Sequence, residues 1–388
     1  VNAQSIGSAG PLTGVRVLDM TTVGMGPFAT QILGDMGAEV IKVEPPEGDV
    51  FRTAGPCVHT GMGAVYLNLN RNKHSVTLDA KQTADREELL RLADSADVFV
   101  SNVRPQALAR LGLNAETLCA RNPRLIYCSA VGFGQNGPYA GRPAFDDIIQ
   151  AMSGLAALQG ANGDAPAYIN TILADKVAGL TLAYAIPMAL YEREKSGWGQ
   201  TLEVPMFETM VAFSLIEHMG GYTFDPPRGD AGYARVLSPH RKPYRTSDGF
   251  IALLPYTDAQ WQRFFKLAGC DDLTLDPRYA TAQARAGCFN ELYADLANLV
   301  AQRTTQAWLD LLENADIPHS RILGIPELFD DPHLAATGFF KRVEHPTEGM
   351  LVTPDVSVRF SRTPGSIRSL APSQAPNMTK KPEAFGGA

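Results

Sequence analysis

A single carboxylate, Asp175, stands at the mouth of the apolar run "TILADKVAGLTLAYAIPMALYERE" (171–194). Two chemistries are open to it. An aspartate in the first turn of a helix is favoured by the free backbone N–H groups and the helix dipole, with Lys176 as a solvated neighbour. The same helix end would keep a carboxylate nucleophile ionised and able to attack an acyl carbon. Asp146 and Asp147, which open the segment "FDDIIQAMSGLAAL" (145–158), carry the same two readings.

A second stretch, "VLDMTTVGMGPFATQILGDMGAEVIKVE", sets Gly24, Gly26 and Ala29 as GxGxxA between a strand and a helix, with Glu44 closing the next strand. This imitates a dinucleotide-binding fingerprint, in which glycines admit a phosphate to the helix N-terminus and the acid holds a ribose. The fit is loose, because Val23 lies four positions beyond Asp19 and Pro27 removes one backbone donor. Close packing of a βαβ unit accounts for the same glycines. A third group, Arg71, Asn72, Lys73, Asn102, Arg104 and Arg110, would bring polar and cationic groups to strand ends on the loop side of a sheet. Cations there suit a polyphosphate through charge-assisted hydrogen bonds, although each taken singly also reads as a solvated surface charge. There is no GxSxG elbow, and none of the seven histidines has a triad or metal partner in sequence.

The elements that would position these groups alternate between strand and helix, the rhythm of βαβ units and a mostly parallel sheet. Strands are expected at 15–20, 39–44, 75–79, 97–102 and 124–133, and helices at 27–37, 84–94, 105–112, 145–158 and from about 170 to 194. "DPPRGD" (225–230) is dense in proline, glycine and charge and reads as a boundary. Three stretches follow: a large α/β part over 1–225, a smaller α+β part over 226–330, and a return to the large part over 331–388. The second begins with a hairpin around Asp248-Gly249 and continues in amphipathic helices. The Pro- and Ser-rich tail after 361 is expected to be poorly ordered.

The chain's 388 residues are 45% hydrophobic and 19% charged, the balance of a globular protein with a substantial core. A net charge of -7 opposes a protein built around nucleic acid or an anionic membrane, since both require a clustered positive field. The five cysteines are scattered and form no metal-ligand spacing, so free thiols in a reducing compartment are expected. "VNAQSIGSAG" has no basic start followed by an apolar stretch, and the most apolar run, Val177 to Tyr191, is shorter than the ~20 residues a membrane helix needs. A cytoplasmic protein is expected.

Several stretches together resemble the class III CoA-transferases, the CaiB–BaiF superfamily, which also holds the α-methylacyl-CoA racemases. They include "PLTGVRVLDMT", "ATQILGDMGAEVIKVEPPEGD", "LNRNKHSVTLD", "ADVFVSNVRPQALARLGL", "NPRLIYCSAVGFGQNGPYAGRPAFDDIIQAMSGL", "LADKVAGLTLAYAIPMALYEREKSGWGQTLEVPMFE" and "ELFDDPHLAATGFF", and they span nearly the whole chain. The resemblance implies a Rossmann-like large domain with an inserted smaller α+β domain, and ring-shaped protomers threaded into an interlocked homodimer. It implies acyl-CoA and a small carboxylic acid as substrates, with no tightly bound cofactor and coenzyme A itself a substrate. Succinyl-CoA is among the donors it suggests, and transfer between two carboxyls of one acid is a variant.

Asp175 falls on the family's catalytic aspartate, which the resemblance makes the acceptor of the acyl group and then of CoA. Asp146 falls where the formyl-CoA branch carries an acid that arranges the site. The positions carried over for CoA are Val23, Asn72, Lys73, Asn102, Val103 and Arg110, with Arg104 added on charge. Where the racemases carry a histidine for proton exchange this chain has Phe145, which favours transfer over racemisation. Gly24 replaces a glutamine of the formyl-CoA branch.

Overall fold

Six short runs rich in β-branched residues form one parallel sheet: β1 (Arg16–Met20), β2 (Glu39–Glu44), β3 (Lys73–Thr77), β4 (Val98–Ser101), β5 (Ile126–Val131) and β6 (Thr201–Pro205), in the order β3-β2-β1-β4-β5-β6. The structure, a computed structural model, describes residues 10–379 except 162 and 164. Val17 on β1 pairs with Val40 on one side and Val98 on the other. Val98, Phe99 and Val100 are all buried, the continuous apolar run required of a central strand covered on both faces.

The helices in chain order are α1 (Met25–Asp35), α2 (Ala64–Leu69), α3 (Thr83–Asp94), α4 (Pro105–Arg110), α5 (Ala115–Arg121), α6 (Asp146–Met152), α7 (Leu155–Gly160), α8 (Leu173–Ser196) and α9 (Met206–His218). The helix expected over 145–158 is thus two. It breaks at Ser153 and Gly154, where Gly154 adopts φ +82°, a conformation open to glycine at no steric cost. Helix α8 has 24 residues and is apolar enough to cross a membrane by length and composition, longer than the run the sequence marked. Half of that apolar window is nonetheless buried inside the protein. Gly179 lets α8 approach α1 closely, since an added Cβ would lie 2.7 Å from the Met25 carbonyl oxygen.

The described residues form two units. One comprises the chain to Gly154, Tyr168–Phe213 and the chain from Pro332; the other comprises Leu155–Ala167 and Ser214–Asp331. In the first, Leu18, Phe99, Leu89, Leu108 and Leu118 pack between the sheet and its outer helices. In the second, a three-stranded antiparallel sheet, β7 (Tyr244–Arg245), β8 (Phe250–Leu253) and β9 (His319–Arg321), packs with an aromatic core of Trp261, Phe264, Phe265, Tyr279 and Trp308. β7 and β8 flank the expected Asp-Gly turn.

The segment after 361 departs from its expected disorder as far as residue 379. It carries almost no regular structure, yet it lies along the outer strand β3. Asn72 holds it, its side-chain oxygen accepting from the Arg368 and Ser369 backbone N–H groups and its Nδ2 donating to the Ser366 carbonyl. A bridge between Thr77 and Asn377 extends the contact. An exposed edge strand is a liability for aggregation, and this tail covers it.

Candidate active site

Parallel α/β sheets bind ligands beyond the carboxyl ends of the strands where the strand order reverses, here between β1 and β4. The loops leaving those two strands are tied together. The Thr22 N–H donates to Asn102 Oδ1 at 3.1 Å, and Asn102 Nδ2 donates to the Thr22 carbonyl at 2.8 Å. Val23 follows at φ 71°, a left-handed conformation that a β-branched residue adopts only under constraint. Its N–H donates to Asp49 Oδ1 at 3.2 Å, and the buried Lys42 ammonium bonds both Asp49 Oδ2, at 2.7 Å, and the Thr21 carbonyl, at 2.9 Å.

This clamp delivers Gly24 to the start of α1, directly beneath Asp175. A Cβ on Gly24 would sit 2.4 Å from Asp175 Oδ2. The carboxylate faces a cavity of about 400 Å³ whose walls include Val23, Gly24, Asn102, Val103, Arg104, Gly132, Gln135, Arg142 and Phe145. Replacing Gly24 by alanine is expected to push that carboxylate aside and lower kcat at least about tenfold with the fold retained. Steady-state kinetics and circular dichroism check this, and unchanged kcat would show that the Asp175 position is not critical.

Asp175 itself is buried in all but 7% of its surface, and among the described residues no hydrogen bond reaches its carboxylate oxygens. Burial, reinforced by the nearby Asp146 charge, pushes its carboxyl up to about 7. The backbone N–H of Asp175 donates to Asp146 Oδ1 at 3.1 Å, and Gln150 Nε2 donates to Asp146 Oδ2 at 2.5 Å. Asp146 therefore stands behind the cavity, with both oxygens engaged.

Of the residues read from the sequence, the structure brings Asp175, Val23, Asn102, Val103 and Arg104 to one cavity, with Asp146 as support. Arg110, exposed at the end of α4, is outside the lining. Asn72 and Lys73 depart from their expected placement. They lie at the amino end of β3 rather than its loop side, and both side chains are spent internally. The Lys73 ammonium is buried against Asp19 Oδ2 at 3.2 Å, the Pro27 carbonyl at 3.0 Å and Asn70 Oδ1 at 2.8 Å. Arg71 is likewise buried, bonded to Asp35.

The dinucleotide fingerprint is also accounted for. Gly24 makes room for Asp175 and Gly26 for Thr21, while Glu44 is buried in a two-point bond with Arg52 at 2.6 and 2.7 Å. No ribose can claim that carboxylate without breaking the pair. Arg142 and Gln150 were missed by the sequence reading. Arg142 sits in "GPYAGRPAFDD" with its guanidinium over the Tyr139 ring.

Fold and site thus define a parallel α/β protein with a buried carboxylate at the switch-point cavity. The chain matches the family model for CoA-transferase family III over residues 12–375, and it belongs to that family. It is an enzyme of the transferase class. The human succinyl-CoA:glutarate CoA-transferase is 32% identical over 357 residues, covering 91% of this chain and 81% of that one. The acetyl-CoA:oxalate CoA-transferase of Acetobacter aceti is 36% identical over 337 residues, 84% of each. A CAIB/BAIF family protein from Brucella suis, known from its crystal structure, is 32% identical with a TM-score of 0.80, over 94% of this chain and 97% of that one.

Proposed function

We propose that the protein moves coenzyme A from an acyl-CoA donor to an organic acid through covalent intermediates on Asp175. The observation that carries this reading is a buried carboxylate, free of hydrogen bonds from the described residues, facing a cavity at the first turn of α1. An Asp175 oxygen attacks the thioester carbonyl, forming a C–O bond, and the C–S bond breaks to release CoA thiolate. The thiolate attacks the aspartyl carbonyl of the mixed anhydride, leaving an aspartyl-CoA thioester and the donor acid as its carboxylate. An acceptor carboxylate repeats the two steps in reverse and restores Asp175. No net proton transfer is needed, and the acyl energy is conserved throughout.

The two named relatives act on glutarate and oxalate, both dicarboxylates, and this supports a dicarboxylate acceptor with succinyl-CoA as the first donor to try. Val23, Asn102, Val103 and Arg104 are the CoA-facing wall in this reading, with Arg110 further along α4. Asn102 acts there chiefly by fixing the Thr22 backbone. Racemisation finds no support, because Phe145 and the other lining residues offer Asp175 no second proton-transfer base.

The test is peptide mass spectrometry after incubation with succinyl-CoA and reduction by borohydride, which converts an aspartyl-CoA thioester to homoserine. Thioester-dependent homoserine at position 175 is expected; turnover with Asp175 unmodified would overturn the mechanism. A homodimer belongs to the same proposal. Leu180, Tyr184, Met188 and Tyr191 form an exposed apolar stripe along α8 at helical spacing, a surface that a second copy would cover. Sedimentation equilibrium should give twice the chain mass of 41.8 kDa, and a monomer at micromolar concentration would refute this part.

A further inference from the structure

Helix α8 lacks a cap of its own. Its N-cap residue is Ile172, which has no side-chain acceptor for the first-turn N–H groups. A capping side chain ordinarily accepts from the second or third helical N–H. Asp175 is the third residue of α8, and its N–H goes to Asp146 Oδ1 at 3.1 Å, so the cap comes from another helix. What orients Asp146 is Gln150, one turn along α6 and almost wholly buried. Its Nε2 donates to Asp146 Oδ2 at 2.5 Å and to the Thr171 carbonyl at 3.2 Å, and its Oε1 accepts from the Ile169 N–H at 2.9 Å.

We propose that Gln150 is a positioning residue for CoA transfer, its amide fixing the Asp146 carboxylate as a cap supplied in trans to α8 and thereby holding Asp175 against Gly24. The amide spans both sides of the junction. It joins α6 to the 169–171 segment that leads into α8, so the height of Asp175 above Gly24 depends on it. The inference rests on Asp175 being the nucleophile.

The same contact fixes a negative charge beside Asp175, so its loss has an electrostatic signature. The other charges around Asp175 are few. Asp147 on α6 is exposed, Lys176 donates to Thr171 Oγ1, and Arg104 and Arg142 stand on the cavity wall. On the elements packed against α8, Asp35 of α1 is paired with Arg71, Glu203 of β6 accepts from the Gln135 N–H, and β5 carries no charged residue. Asp146 is thus the charge whose placement Gln150 controls.

The experiment measures single-turnover formation of the borohydride-trapped adduct from succinyl-CoA, against pH, in full-length wild type, Gln150→Met and Gln150→Glu. Methionine frees Asp146 to move away, so the maximal rate should fall about tenfold or more and the pH midpoint should move acid by about half a unit. Glutamate keeps the acceptor for Ile169 and adds a charge, so its midpoint should move the opposite way. It preserves side-chain volume and keeps the test in place if the methionine variant unfolds. Midpoints unchanged from wild type in folded variants, or two shifts of the same sign, would overturn the proposal. Absence of any adduct at Asp175 in the wild type would instead overturn the nucleophile reading on which it rests.

Discussion

Asp175→Asn is expected to abolish CoA transfer, lowering kcat on the order of 10⁴-fold or more, while making the protein more stable at pH 8. An amide cannot form the mixed anhydride, so the borohydride-trapped product should vanish with CoA binding retained. The stability gain follows from the burial that raises the Asp175 carboxyl from an ordinary 3.8 to about 7. Below pH 4 the group is neutral in both folded and unfolded chains and imposes no penalty. Between about 4 and 7 the unfolded chain ionises first, so its contribution to stability falls as pH rises, and above 7 the deficit is constant. Three units at about 1.4 kcal/mol each set a ceiling of about 4 kcal/mol for the gain on replacement by neutral asparagine. Urea unfolding of both proteins at pH 5 and pH 8 measures it. A variant less stable than wild type at pH 8 would mean that the carboxylate serves the helix end rather than the reaction. The nucleophile's ionisation also predicts that the wild-type single-turnover rate rises with pH through about 7.

Much of this frame was legible in the sequence. Runs such as "EVIKVE" and "DVFVSN" are short, β-branched and punctuated by helix signals, and β2 (Glu39–Glu44) has the bounds read for it. Helix α5 (Ala115–Arg121) was not foreseen, because seven residues give too few turns to establish a period. Asp175 was conspicuous by its place at the head of an apolar run, and there only the family resemblance favoured the nucleophile over the helix-end reading. The contacts that set its position lie in other elements: Gly24 beneath it, Asp146 behind it and Gln150 behind Asp146. None of those contacts follows from spacing along the chain, since Asp146 reaches Asp175 across a gap of 29 residues. The misplacement of Lys73 has a related cause. Residue type reports charge but not depth, and a lysine at the amino end of an outer strand can be drawn inward when an unpaired acid waits there.

Lys73→Met accordingly tests the difference between a ligand contact and a buried support. Asp19, its partner, is wholly inaccessible and is further held by Thr21 and Thr30 hydroxyls at 2.5 and 2.6 Å. Burial alone would raise the Asp19 carboxyl, but Lys73, Lys42 and these hydroxyls hold it below the ordinary carboxylate range, so it is ionised at neutral pH. Removing the ammonium takes the nearest counter-charge from that buried carboxylate on β1 and frees the Pro27 carbonyl and Asn70 amide oxygen. Breaking one side of such a buried pair costs about 3–5 kcal/mol. The variant should therefore lose that much in urea unfolding while its KM for acyl-CoA, measured below the unfolding transition, stays within about twofold of wild type. A tenfold rise in KM with stability intact would return Lys73 to the CoA site. The geometry opposes that result, because the ammonium already has three partners and Lys73 is not among the residues lining the cavity in which Asp175 stands.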